Sequence, residues 1–133
     1  MKWSWRVGSI AGIALYVHAT FVLLLAYIAI ANYQATKSAA DALNGVLFVV
    51  AVFATVVLHE LGHALAARRY GIATKDITLL PIGGIARLER MPREPRPEMI
   101  VAVAGPAVNV AIALVLYAVL VLSGGLPDIL EGA

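Results

Sequence analysis

The stretch VLFVVAVFATVVLHELGHALAARR, residues 46–69, decides the fold of this chain. Its first half is almost entirely apolar, and its second half stays apolar around one short polar cluster. A bilayer core about 30 Å thick needs about 20 mostly apolar residues in helical form. We therefore predict a membrane-spanning helix over about residues 44–69, which Arg68 and Arg69 close at a membrane surface.

Two further stretches are long and apolar enough to cross a bilayer, at about residues 10–31 and 98–122. The composition agrees, because 62% of the 133 residues are hydrophobic and only 14% are charged, whereas roughly a quarter of the residues in a soluble domain are charged. These observations predict an all-α membrane protein, residues 1–133, with about three transmembrane helices in a single domain. A cleaved signal sequence is the alternative for the first stretch, but its apolar run is longer than a usual signal core.

The basic residues predict the orientation of the helices. Nine of the ten lysines and arginines lie before the first predicted helix, at the end of the second or between the second and third, and only Lys37 lies between the first and second. Basic loops stay in the cytoplasm, so we expect a multi-pass protein, of a prokaryotic cell membrane, with its N-terminus and residues 71–97 inside. A net charge of +2 is too small to indicate a surface that binds nucleic acid. Because the sequence contains no cysteine, thiolate chemistry and disulfides are excluded.

The connection over residues 71–97 contains a predicted structure of its own. Apolar and β-branched residues flank the pair Gly83 and Gly84, a pattern that is typical of two short strands joined by a turn. We expect a short, membrane-associated, β-hairpin-like loop between the second and third helices. Residues 90–97, which hold three prolines, are expected to form an extended connector.

The polar cluster in the second helix has the pattern of a zinc site. His59 and His63 are four residues apart, so both imidazoles share one face of a helix and can reach one ion. Zn²⁺ lowers the pKa of bound water to about 7, and Glu60, next to His59, could take the proton and pass it to a leaving amine. A polar patch between helices, or a chance match, is the alternative. Ionisable groups inside a spanning helix are costly and usually functional, which favours the metal site.

A catalytic zinc normally has three protein ligands, and the third is not evident. Asp41 and Asp128 fall at the outer ends of their predicted helices, out of reach, and Asp76 lies beyond the inner end of the second helix. His18 falls at the depth of the motif when helical rise is counted from the inner surface. It is either a neutral imidazole bonded to a neighbouring helix or a residue that supports the site.

Asn109, in the third helix, lies about as deep as the histidine motif. Its amide either bonds to a neighbouring helix, as polar side chains in membranes commonly do, or contacts substrate or water. Gly105 and Pro106 are expected to form a packing notch and a kink.

Three motifs, in order, carry a resemblance to a known family. VLHELGHALAARRYGI, residues 57–72, resembles the zinc helix of the site-2 proteases, the zinc metalloproteases that cut within membranes. LLPIGGIARLERMP, residues 79–92, resembles the glycine-containing membrane-associated loop of that family, and AGPAVN, residues 104–109, its next core helix. GIALYVHATFVLLL, residues 12–25, resembles the helix before the core in one branch of the family.

The resemblance implies that His59 and His63 bind Zn²⁺, that Glu60 is the general base, and that residues 82–88, among them Gly83, Gly84 and Ile85, help to hold substrate in extended form. A transmembrane substrate must unwind before water can attack its backbone, and an edge strand can supply replacement hydrogen bonds. A loop that only plugs the bundle is the alternative. The partners expected are therefore a transmembrane protein substrate and the lipid bilayer.

One feature of the family has no counterpart in the sequence. The family's third ligand is an aspartate followed by glycine on a further helix, and no such motif follows residue 122 in that setting. The chain is expected to be either the N-terminal part of an intramembrane zinc endopeptidase or a catalytically incomplete homologue that binds membrane proteins or metal without cleavage. Metal transport is disfavoured because no polar path crosses the third helix. The sequence does not indicate the substrate or the oligomeric state.

Overall fold

The structure, a computed structural model, describes residues 2–125. Asp128, considered above as a ligand, lies outside the described residues. In chain order the elements are β1 (Ser4–Ile10), β2 (Ile13–His18), α1 (Ala19–Thr36), α2 (Ala39–Arg68), β3 (Thr74–Leu80), β4 (Gly83–Leu88) and α3 (Pro95–Ser123). All three helices are long and apolar enough to cross a membrane, so the prediction of three such helices is confirmed.

The prediction of an all-α protein is wrong, because the described residues also form a four-stranded sheet in the order β1-β2-β3-β4. β1 and β2 pair antiparallel, β2 and β3 parallel, and β3 and β4 antiparallel. Two of the strands thus come from the loop between α2 and α3, and two come from the N-terminal segment, so the sheet is not confined to the loop as expected. The parallel pair β2–β3 is joined through α1 and α2.

Residues 10–18 therefore form the end of β1, a turn and β2, where a helix is expected. The tight turn between β1 and β2 explains the difference: Ile10 pairs with Ile13, and both residues between them, Ala11 and Gly12, have positive φ angles of 53° and 81°. Such a turn requires positive φ at both central positions. The continuous run of apolar residues from 10 to 31 conceals this change from strand to helix.

The ends of α1 and α2 follow from their capping residues. The His18 imidazole accepts a hydrogen bond from the Thr20 backbone N–H at 3.2 Å, which caps the start of α1. Lys37 ends α1 in a left-handed conformation, and the Ser38 hydroxyl accepts from the Asp41 N–H at the start of α2. Only two residues join the helices, so α1 and α2 are antiparallel neighbours.

The core lies between the sheet and the second half of α2. Its buried residues are Ile13, Phe21, Phe53, Val57, Leu61, Ala64, Ile77 and Leu79. The outward surface of the helices is apolar as well. On α3, for example, Leu114, Val115, Leu116 and Tyr117 are each more than half exposed. An apolar surface of this kind suits contact with lipid rather than water.

α2 and α3 approach each other closely at Gly62. A methyl group at this position would lie 2.7 Å from both the Ala104 carbonyl oxygen and Val108 Cγ2. Small residues allow such close contact between helix backbones in membranes. This contact brings residues 101–109 of α3 against the histidine motif of α2.

An ion pair joins β3 to β4 across the sheet. Arg87 Nε donates to Asp76 Oδ1 at 2.9 Å, and a second guanidinium nitrogen contacts the other carboxylate oxygen. Asp76 is buried, with 6% of its surface exposed. The hydrogen bond from Arg87 is the main reason that the pKa of this carboxyl lies below its ordinary value of 3.8, although burial acts in the opposite direction.

This pair predicts a loss of stability in acid. Because the folded-state pKa of Asp76 is lowered, its contribution is present above pH 3.8 and is lost as the pH falls through the folded-state value. We expect Asp76→Asn to lower the unfolding temperature at pH 7 by a few degrees. The variant should also lose less stability than the unsubstituted protein when both are taken below pH 3.8. Thermal unfolding in detergent at both pH values measures this; parallel curves for the two proteins would contradict it.

Candidate metal centre

The second half of α2 carries the histidine motif to the level of the sheet. Phe21, near the start of α1, packs edge-on against Phe53 of α2, with ring centroids 4.7 Å apart. His59 lies six residues further along α2, about 9 Å at the helical rise of 1.5 Å per residue. The motif therefore lies just past the start of α1, near one end of the bundle, with the sheet beside it.

His59 and His63 turn toward each other on one face of α2. Their Nε2 atoms are 3.1 Å apart, and the ring centroids are 4.7 Å apart. Zn²⁺ binds histidine nitrogen at about 2.0 to 2.1 Å, so one ion can contact both Nε2 atoms. Both rings are partly buried.

Both remaining ring nitrogens face α3. His63 Nδ1 lies 2.6 Å from the carbonyl oxygen of Val101, and His59 Nδ1 lies 3.0 Å from the side-chain amide of Asn109. Metal-binding histidines usually bond through their second nitrogen to a carbonyl, a carboxylate or water, which fixes the ring. With these contacts on Nδ1, the two Nε2 atoms face each other at the place where an ion would bind.

Gly105 makes room for the imidazoles. A methyl group there would lie 2.3 Å from His63 Nε2 and 2.7 Å from His59 Nε2. The space that a side chain would fill therefore lies at the two nitrogens, where an ion would bind. This space and the two imidazole nitrogens fit a zinc ion. Within residues 2–125, however, no group of three or more His, Cys, Asp or Glu side chains comes together as a ligand set.

Glu60 lies where α2 meets strand β4. A methyl group on Gly84 would lie 3.3 Å from Glu60 Cγ and 3.1 Å from Val56 Cγ1, so the strand passes directly over this turn of the helix. β4 is an edge strand, because only β3 pairs with it among the described residues. Gly83, with a φ of 135°, has open space around its Cα, and Ile85 is 38% exposed.

A small cavity adjoins the histidine pair. It has a volume of about 240 Å³ and is lined by Thr55, Val56, His59 and Asn109. Asn109 thus faces both an imidazole and a space next to it. The sequence left its role open between a contact to another helix and a contact to substrate, and the structure places its amide on His59.

His18 is not part of the cluster. Its Nδ1 atom lies 2.7 Å from the Thr20 hydroxyl and 3.2 Å from the Thr20 N–H, both at the start of α1. Counting helical rise placed His18 at the depth of the motif. That count does not apply, because residues 13–18 form a strand. Asp76 is likewise engaged elsewhere, with Arg87.

Sequence reasoning found Asn109 but missed the rest of the contribution of α3 to the site. It assigned Gly105 to packing and did not consider the Val101 carbonyl, yet both contact the histidines. A signal was present, because residues 101, 105 and 109 are spaced by four and therefore share one face of a helix.

Comparisons with known proteins agree with this geometry. The sequence pattern of the family described as Peptidase family M50 matches residues 47–131. A zinc metalloprotease of Methanocaldococcus jannaschii is 39% identical over 122 residues, which cover 90% of this chain and 33% of that protein. A protein of Synechocystis sp. whose name also describes a zinc metalloprotease is 38% identical over 115 residues, 82% of this chain and 30% of its own length.

A solved structure shares the fold. The site-2 protease from Methanocaldococcus jannaschii matches with a TM-score of 0.66 and 36% sequence identity, over 92% of this chain and 52% of that chain. This chain thus spans about a third of the length of these curated relatives and about half of the solved chain.

Proposed function

Because this chain belongs to peptidase family M50, the family of the site-2 proteases, we propose that it supplies part of the catalytic centre of an intramembrane zinc endopeptidase. The reaction is hydrolysis of a peptide bond in or near a transmembrane segment of another membrane protein. One observation supports this most directly: two imidazole Nε2 atoms lie 3.1 Å apart, beside a glutamate, near one end of a bundle of membrane-spanning helices.

His59 and His63 are the proposed ligands of the ion. A zinc ion held there supplies a Lewis acid, which lowers the pKa of water to about 7. Catalytic zinc sites usually have three protein ligands. We propose that the third ligand comes from a segment that corresponds to the part of the relatives that this chain does not span.

Glu60 is the proposed general base. It follows His59 directly on α2 and lies under β4, the strand proposed to hold substrate. Its carboxylate takes a proton from the attacking water and then delivers that proton to the nitrogen of the leaving amine. Proton transfer by a positioned side chain typically contributes about 10²- to 10⁴-fold to a rate.

The open edge of β4 is the proposed binding site for the substrate backbone. A helical substrate has its carbonyls in internal hydrogen bonds, so it must become extended before water can attack. The unpaired edge offers backbone donors and acceptors to an added strand. Gly83, Gly84 and Ile85 bring that strand over Glu60, and the cavity beside Asn109 accepts a neighbouring side chain.

A homologue that binds membrane proteins or metal without cleavage is the second candidate. The observation that favours it is the ligand set, because the described residues bring together only two imidazoles and no third ligand.

One experiment separates the two functions. The chain is purified beside a version extended in its reading frame past Ala133, and bound zinc and cleavage of reconstituted membrane-protein substrates are measured for both. Zinc-dependent cleavage by the extended version supports the protease. Zinc binding without cleavage in either form supports the second candidate, and the absence of zinc from both forms contradicts the metal site.

We also propose that the sheet lies on the cytoplasmic side. β1 and β2 share one sheet with β3 and β4, so the N-terminal segment and the loop between α2 and α3 lie at the same end of the helices. That end carries nine of the ten lysines and arginines, and basic segments stay in the cytoplasm.

Cysteine labelling in intact cells tests this orientation, because the chain has no cysteine of its own. We expect a membrane-impermeant maleimide to label Ala40→Cys, at the start of α2, without permeabilisation. It should label Glu89→Cys, just after β4, only once the cells are permeabilised. Both positions are exposed, and the reverse pattern would show that the chain is inserted the other way.

A further inference from the structure

One face of α3 contacts both imidazoles at successive turns. Val101 meets His63, Gly105 lies against both rings, and Asn109 meets His59. These residues are four apart, so they stand in a row along the helix. The α3 face thus presents a carbonyl, a gap and an amide to the two proposed ligands of the ion.

The Val101 carbonyl determines which nitrogen of His63 can bind metal. A neutral imidazole carries its proton on one nitrogen and a lone pair on the other. A carbonyl oxygen can only accept a hydrogen bond, so the contact at 2.6 Å places the proton of His63 on Nδ1. The lone pair of His63 is then on Nε2, directed at His59.

Asn109 is different, because its amide can either donate or accept. In the structure Nδ2 is the atom 3.0 Å from His59 Nδ1, and rotation of the amide by 180° puts Oδ1 in its place. With Nδ2 there, His59 Nδ1 accepts, and its proton is on Nε2, which then cannot bind a metal ion. With Oδ1 there, Nδ1 carries the proton, and the Nε2 lone pair is available.

We propose that Asn109 is a positioning residue, which turns its amide oxygen to His59 Nδ1–H and so makes Nε2 the ligand atom of His59. Together with Val101, it gives both imidazoles the same tautomer, with both lone pairs directed into the space beside Gly105. The inference rests on the proposed zinc site, and it assigns Asn109 a task separate from lining the adjoining cavity.

Three variants test this role through zinc affinity rather than activity. Asn109→Leu has a similar size but cannot accept a hydrogen bond. Asn109→Asp keeps an acceptor, and Val110→Leu changes the next residue of α3, whose side chain is 59% exposed. Loss of a hydrogen bond to a ligand histidine typically weakens metal binding about 10- to 100-fold. We expect this loss for Asn109→Leu, a change of a few-fold or less for Asn109→Asp, and none for Val110→Leu.

Competition with a chelator measures the affinities in detergent, and thermal unfolding of the zinc-free proteins shows whether each variant is folded. ¹⁵N NMR of the histidines in the unsubstituted, zinc-loaded protein gives a second test that needs no substitution at Asn109. We expect a protonated Nδ1 in both His59 and His63. A protonated Nε2 in zinc-loaded His59 would overturn the proposal, as would unchanged zinc affinity in folded Asn109→Leu.

The controls separate this inference from the proposed function. If the unsubstituted protein does not bind zinc, or if His59→Ala and His63→Ala bind it equally well, then the metal site itself is wrong and the inference is overturned with it. If zinc binding depends on both histidines but not on the acceptor at residue 109, only the role of Asn109 is wrong.

Discussion

Gly105→Ala is expected to abolish zinc binding while the helices remain folded. The added methyl group would lie 2.3 Å from His63 Nε2 and 2.7 Å from His59 Nε2, closer than any non-bonded carbon and nitrogen can stay. The neighbouring atoms are the ends of side chains, so the rings can rotate away instead of forcing α2 and α3 apart. The two Nε2 atoms then no longer share one position.

Zinc content of the purified protein, together with thermal unfolding of the zinc-free form, measures this effect. Gly8→Ala, on β1, is the matched control because a methyl group there would meet nothing within 4 Å. Gly62→Ala provides a contrast, since its methyl group would lie 2.7 Å from the Ala104 carbonyl oxygen. That substitution should lower stability by about 1–3 kcal/mol, as overpacking usually does. A Gly105→Ala protein that holds zinc as tightly as the unsubstituted protein would show that the ion does not bind beside Gly105.

The second large effect is expected for Glu60→Gln, measured in a version of the protein that cleaves substrate in the experiment proposed above. The amide cannot take a proton from water, so cleavage should fall by about 10²- to 10⁴-fold. Because Glu60 is not a proposed ligand and glutamine has nearly the same shape, zinc content and unfolding temperature should stay the same. Cleavage of a reconstituted substrate, with zinc measured in the same preparation, tests both statements.

Two outcomes would contradict this role for Glu60. Cleavage at an undiminished rate would exclude it as the general base. Loss of zinc together with activity would indicate that the carboxylate helps to hold the ion. Glu89→Gln is a suitable control, since Glu89 is exposed and lies after β4, outside the histidine motif.

The helices could be predicted from sequence because each leaves a long apolar run, and the histidine motif could be found because its spacing of four matches one helical turn. The same criterion, a long apolar run, did not separate the N-terminal strands from α1. Residues 13–18 are as apolar as the helix that follows, and the change is marked only by the turn at Ala11 and Gly12 and by the cap at His18. Strand and helix cannot be separated by hydropathy alone in such a run.

Of the part of the site contributed by α3, the sequence indicated Asn109, but the contacts to the histidines could not be predicted, for a different reason. The contacts of Val101, Gly105 and Asn109 depend on how two helices cross, and the crossing is set by the close approach at Gly62. Local sequence shows which residues share a face of α3. It does not show which face meets the histidines, because apolar residues occur on all sides of this helix.

The parallel pairing of β2 with β3 has a consequence for biogenesis. The paired residues are about 60 positions apart, and α1 and α2 must both enter the bilayer before β3 can reach β2, so this contact is costly in chain entropy and forms late. The N-terminal hairpin therefore has no parallel partner until the chain has been made through the second helix and β3. β4, the strand over Glu60, pairs only with β3 among the described residues, so a nascent chain stopped before residue 74 lacks both strands of this side of the sheet.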